Sequence, residues 1–132
     1  MYPARVVAFV CPFAMFAACV SNPRVEHSPA GIAVDPEVLS AAREAPFDYM
    51  KQLARAERGN VDALLALIEL SPKIAHSVAG SEQHGDIVFA VRQRVGSAAF
   101  SKAMHRASPD AQRASMDTLE VAEENDRLLK SR

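Results

Sequence analysis

Asn60-Val61-Asp62-Ala63-Leu64-Leu65-Ala66-Leu67-Ile68-Glu69-Leu70 is the stretch whose reading decides the fold class. Val61, Leu64, Leu65 and Ile68 recur at i, i+3, i+4 and i+7, a spacing that gathers side chains on one face of a 3.6-residue helix. Leu67 and Leu70 widen that face, so the segment predicts the most buried helix of the chain. Asn60 supplies a side-chain oxygen for the free N–H groups of its first turn. Gly59 ends the preceding helix in the left-handed conformation that glycine adopts at least cost.

The same grammar extends upstream. Asp35-Pro36-Glu37 places Asp at an N-cap, Pro at the first helical position and Glu in the first turn. The short helix it starts has Val38, Leu39 and Ala42 inward. Pro46 interrupts it and begins a second helix, with Phe47, Met50, Leu53 and Ala54 on one stripe and Lys51, Arg55 and Arg58 outside. Residues 19–34 carry Ser21-Asn22-Pro23, Ser28-Pro29 and Gly31 with little periodicity, the composition of a flexible tether. His27 in this stretch is expected to face water.

Downstream, Ser71-Pro72 ends the central helix and caps a short one, with Ile74, Ala75 and Val78 inward, that stops at Gly80. Ser81 opens a longer segment in which His84, Ile87, Val88, Val91 and Val95 share a face. Valine favours strands, yet the spacing is helical. Gly96-Ser97 breaks and restarts the helix, and Phe100, Ala103, Met104 and Ala107 line its inner side. Ser108-Pro109-Asp110 repeats the cap, and a last helix runs to about Leu129 with Met116, Leu119 and Ala122 inward. Its acidic start and its basic end, Arg127 and Lys130, suit the helix dipole. No stretch joins strict alternation to hairpin turn chemistry. The expected fold is therefore all-α, a small bundle of about five to six short antiparallel helices over residues 35–132.

The opposite end of the chain speaks of location. Arg5 is followed by the apolar run Val6 to Phe16 and then by Phe16-Ala17-Ala18-Cys19. A basic start, a short apolar core and small residues at a cleavage point make a secretory signal peptide. The run falls short of the about 20 residues needed to span a bilayer, and Pro12 would cost it a helical hydrogen bond. Phe16-Ala17-Ala18-Cys19 resembles the lipobox of bacterial lipoproteins, with Phe16 in place of the usual leucine. The resemblance implies cleavage between Ala18 and Cys19, removal of residues 1–18, and a diacylglycerol and an N-acyl chain on Cys19. Val20, where an aspartate would mark inner-membrane retention in that family, implies an outer-membrane destination facing the periplasm. The only other cysteine, Cys11, lies within the leader, so a lone exported thiol is accounted for as a lipid attachment point. With two or more acyl chains such an anchor is stable.

Charge and composition exclude several classes. Removing residues 1–18 takes only Arg5 from 15 basic residues and none of 16 acidic ones. A chain so close to neutrality lacks the basic stripe of a nucleic-acid binder. With no Trp and only two Tyr and six Phe, it also lacks a stacking platform for bases. It contains no Gly-rich phosphate loop, His-Glu-x-x-His or Gly-x-Ser-x-Gly.

Three sets of residues remain. Glu120, Glu123, Glu124 and Asp126 read as a solvated helix face. His76, His84 and Asp86 flank Gly80 and are the one candidate metal or catalytic set, since imidazole and carboxylate ligate zinc. The simpler reading of His84 is a half-buried, hydrogen-bonded side chain, and His105 is expected to face water. Met50, Met104 and Met116 would soften an interhelical groove; the simpler reading of each one singly is core filling. The expectation is thus a non-enzymatic, lipid-anchored envelope protein with no resident cofactor, whose helical domain binds another envelope protein. In size, anchor and helicity it is similar to the pilotins of secretion systems. Two alternatives stand beside it. One is an envelope enzyme or metal-binding protein using His76, His84 and Asp86. The other is a cytosolic helical domain with Val6 to Phe16 packed on the Leu64 and Ile68 face.

Overall fold

A computed structural model describes residues 23–132. The leader, its cleavage point and Cys19 lie outside the described residues. Among the described residues the chain forms six α-helices, one 3-10 turn and a short two-stranded ribbon, so the domain is a small all-α bundle. The helices are α1 (Pro36–Glu44), α2 (Tyr49–Ala56), α3 (Val61–Leu70), α4 (Val78–Val95), α5 (Ser97–Arg106) and α6 (Pro109–Lys130), with the 3-10 turn at Ser71–Lys73. No described helix is long and apolar enough to cross a membrane.

Helix α3 is the hub, packing against α2, α5, α6 and the 3-10 turn. Ala63, Leu64, Leu67, Ile68 and Leu70 are all fully buried, because the wide apolar surface of NVDALLALIEL must be covered on several sides. Asn60 Oδ1 accepts the Ala63 N–H at 2.9 Å, and Gly59 holds φ at +82°, as its cap role requires. Truncating this hub is costly: Leu64→Ala is expected to lower stability by about 2–5 kcal/mol, read as a lower urea midpoint with an unchanged m-value.

Four local expectations are corrected by tertiary contacts. The tether ends earlier than residue 34. Strands β1 (Glu26–His27) and β2 (Ala33–Val34) pair antiparallel, Glu26 opposite Val34 and His27 opposite Ala33. The turn between them uses Gly31 at φ +85° and Ser28 Oγ, which accepts the Ile32 N–H at 3.0 Å. Glu57 at the end of α2 accepts the Ala30 N–H at 3.2 Å, and Val34 is fully buried in the core. Two-residue strands are too short to show alternation, so only the docked partner reveals them. His27 is exposed, as expected.

Gly80 does not stop a helix. Ile74 is buried, but Ala75 and Val78 are exposed, and α4 is capped by Ser77, whose Oγ accepts the Gly80 N–H at 3.1 Å. Gly80 sits in the first turn close to α1: a Cβ there would lie 2.8 Å from Ser77 Oγ and 3.6 Å from the Glu37 carbonyl. The missing Cβ leaves room for the capping side chain of Ser77.

Helix α2 begins at Tyr49 rather than at Pro46, with Asp48 Oδ1 accepting the Lys51 N–H at 3.2 Å. Its buried residues are Tyr49, Leu53 and Ala56, so Phe47, Met50 and Ala54 are only half-buried at its edge. In α6 the inner face is Ala111, Ser115, Leu119 and Ala122, while Met116 is 59% exposed. Leu119 and Ala122 are inward as expected, but Ser115 takes the place of Met116, its Oγ pairing with Ser71 Oγ at 2.9 Å in the interior. That bond fastens the 3-10 turn to α6, and Ser71 is accordingly a buried tie instead of a cap.

Candidate functional site

An open hollow lies between α5 and α6, with the last turns of α4 closing one side. Its neighbourhood is built by three local devices. Gly96, at φ +91°, lets α5 leave α4 sharply. Ala107 and Ser108 alone connect α5 to α6. Glu69 of α3 clamps the start of α6, accepting the Ser108 N–H at 2.5 Å and the Ser108 hydroxyl at 2.9 Å. Asp62 at the start of α3 pairs with Arg106 at the end of α5 at 2.9 Å, so both helices are fixed to the central one.

The groove has a volume of about 510 Å³, within the range of roughly 300–1,000 Å³ typical of ligand pockets. Phe100 and Leu119 are almost wholly buried beneath it, Met104 is half-buried and Met116 stands out toward water. Asp117, Glu120 and Glu123 rim the α6 side. Arg92 of α4 pairs with Glu123 and lies 5.6 Å from the centre of the Phe100 ring, which braces the far end. Asp117 and Glu120 have no cationic partner among the described residues. His105 faces water, and its Nδ1–H donates to the Ser101 carbonyl at 2.7 Å. The groove therefore presents an apolar floor with the carboxylates of α6 on one side and Arg92, His105 and the hydroxyls of Ser97 and Ser101 on the other. Of the three methionines expected at such a groove, Met104 and Met116 line it; Met50 lines a separate hollow beside Leu39 and Phe47.

The residues singled out as a metal or catalytic set do not come together. His84 is 1% exposed. Its Nε2–H donates to the Leu67 carbonyl at 3.0 Å, and its Nδ1 accepts from the Tyr49 hydroxyl at 2.7 Å. Both nitrogens are thus occupied in the neutral ring, and the Tyr49 ring meets it edge-on at 5.6 Å. Burial pushes the imidazole down to about 4, against a smaller opposing effect of the Leu67 carbonyl. Burial also drives the Tyr49 phenol far above its ordinary value. His84 is accordingly a more deeply buried structural node than its sequence position suggested.

His76, by contrast, is exposed on the surface, 3.0 Å from Glu44 of α1, with Nδ1 at 3.1 Å from the Lys73 carbonyl. Asp86 lines a shallow hollow next to Asp35 and Gln83. Partial burial, and secondarily the charge of Glu82, raises its carboxyl above the usual range. Among the described residues no three His, Cys, Asp or Glu side chains converge as a metal site.

Sequence reasoning missed Tyr49 as the partner of His84. The signal was present only as a tyrosine following an N-cap aspartate, and 35 residues separate the two rings. Glu120, Glu123 and Glu124 are exposed, as expected of a solvated face, and Asp126 is half-buried; Glu120 and Glu123 also border the groove. Compared with protein-family models, with curated proteins and with solved structures, the chain matches none.

Proposed function

We propose that the chain is a lipid-anchored envelope protein whose helical domain is a non-enzymatic interaction module. The observation that supports this most is the open groove between α5 and α6, an apolar floor with an acidic rim, beside the point where Glu69 of α3 holds the start of α6. Short helices that leave such a groove use it for helix or peptide capture. The rival metal or enzyme reading depended on His76, His84 and Asp86 meeting, and His84 spends both ring nitrogens inside the core.

The anchoring half of the reading comes from Phe16-Ala17-Ala18-Cys19. The proposed destination is the periplasmic face of the outer membrane. Cys19→Ala is expected to abolish fatty-acid labelling and to release the protein from the membrane fraction, whereas unchanged retention would refute the anchor. For the interaction half, the acylated protein is used as bait on detergent-solubilised envelopes. Reproducible, stoichiometric enrichment of one envelope protein is the expected result. Absence of any enrichment together with a hydrolytic activity of the purified chain would replace this reading with the enzymatic one.

A further inference from the structure

Resting on the reading just given, we infer that the α5–α6 groove accepts a cationic amphipathic helical segment of a partner protein. Apolar side chains of that segment would cover Met104 and Met116, which lie over the buried Phe100 and Leu119, and its Lys or Arg side chains would meet Asp117 and Glu120. The argument is one of complementarity. Asp117, Glu120 and Glu123 follow one another at three-residue spacing on α6 and all border the groove. Among the described residues only Glu123 is matched, by Arg92. Asp117 and Glu120 are exposed, whereas Phe100 and Leu119 just inside them are nearly sealed. An apolar strip edged by two unmatched carboxylates selects a ligand that is apolar along one line and basic beside it.

Size narrows the ligand. Met116 to Glu123 spans two helical turns, roughly 10 Å at about 1.5 Å per residue. A segment of two to three turns fits alongside, and a single amino acid would leave most of the strip uncovered. Met104 and Met116 add an adaptable contact surface. The same carboxylates disfavour an anionic lipid surface, because like charges repel at the headgroups. A protein segment is therefore the occupant that the chemistry favours.

The test uses the full chain carrying Cys19→Ala, with its methionine methyl groups labelled for NMR. Two designed 14-residue peptides serve as probes. Both carry Leu at i, i+3, i+4 and i+7; the remaining positions are Lys-rich in one and Glu-rich in the other. The Lys peptide is expected to shift the Met104 and Met116 methyl signals saturably, to leave Met50 unchanged, and to weaken as salt rises. The Glu peptide is expected to bind at least tenfold more weakly. Asp117→Asn with Glu120→Gln should weaken the Lys peptide at least tenfold. Glu124→Gln with Asp126→Asn, which changes charge equally on α6 away from the groove, should not. Circular dichroism checks that both variants retain the wild-type helix content.

Equal affinity for the two peptides, equal loss in the two double variants, or shifts centred on Met50 would each overturn the inference. The envelope capture experiment separates this from the broader reading. If a partner is captured equally well by the Asp117→Asn, Glu120→Gln protein, the groove inference falls and the interaction module stands. If no partner is captured while the Lys peptide still binds at Met104 and Met116, the module falls and the groove chemistry stands.

Discussion

Replacing His84 with alanine is expected to destabilise the domain by about 3–5 kcal/mol, because it strands the Leu67 carbonyl and the Tyr49 hydroxyl in the core and leaves a cavity. Domains of this size are commonly stable by only about 5–15 kcal/mol, so the variant should show a far lower urea midpoint or fail to fold at ambient temperature. Tyr49→Phe removes one donor and keeps the ring; it should cost about 1–3 kcal/mol. A His84→Ala protein as stable as wild type would mean that the two hydrogen bonds at 2.7 and 3.0 Å contribute nothing net.

The same side chain predicts an acid dependence. Its folded value, about 4, lies below the ordinary 6.5. Between those two values the unfolded chain binds the proton and the folded one does not. Stability contributed by the neutral ring is therefore complete above pH 6.5 and is lost as pH falls toward 4. The difference of about 2.5 pH units corresponds to about 3 kcal/mol. Chemical unfolding at a series of pH values measures it. A His84→Gln variant stable enough to fold should lose this component of the slope between pH 6.5 and 4. A slope identical to wild type would assign the acid sensitivity elsewhere.

The second large effect belongs to Gly85. On an exposed helix, replacing glycine by alanine gains about 1 kcal/mol. Here the added Cβ would lie 2.7 Å from Thr118 Cβ and 3.1 Å from the Thr118 carbonyl. Those atoms belong to the backbone and the base of a side chain on α6, so neither can swing aside. Gly85→Ala is expected to destabilise by about 1–3 kcal/mol despite its better propensity, and Gly85→Leu by more, since overpacking forces the two helices apart. Thermal and urea unfolding give the magnitude. Thr118→Gly in the Gly85→Ala background deletes the atom that is struck, so a double-mutant cycle should show favourable coupling between the two sites. Additive losses would mean that Thr118 is not the obstacle. Helices α4 and α6 carry the most extensive interhelical packing of the bundle, which makes this contact a sensitive point for the frame of the groove.

These two positions also mark how legible the chain was. His84 was placed on the inner face of its helix from spacing alone, and the structure buries it there. Its hydrogen-bond partners could not be read, because Tyr49 and Leu67 belong to other helices and no local pattern encodes a meeting across 35 or 17 residues. The groove was anticipated in kind, through Met104 and Met116, but not in place. Spacing places Met116 with Leu119 and Ala122 on the inner face; Leu119 and Ala122 are buried there, but Ser115, bonded to Ser71, takes the inward position and Met116 stands out beside the acidic rim.

The sequence by itself determined the helices. Apolar spacing at 3.6 residues and the capping residues Asn60 and Ser108 act within one or two turns, so their effect is written locally and survives in the structure. Gly59 and Gly96 likewise stop the chain where only a glycine holds a positive φ at little cost. Tertiary structure decided what the ambiguous residues mean. Gly80 reads as a breaker but lies inside the first turn of α4, and Gly85 serves close approach to α6, since a missing Cβ counts only when another element occupies its space. Glu26 to Val34 reads as loose chain but pairs as a ribbon, because strands of two residues gain order only by docking.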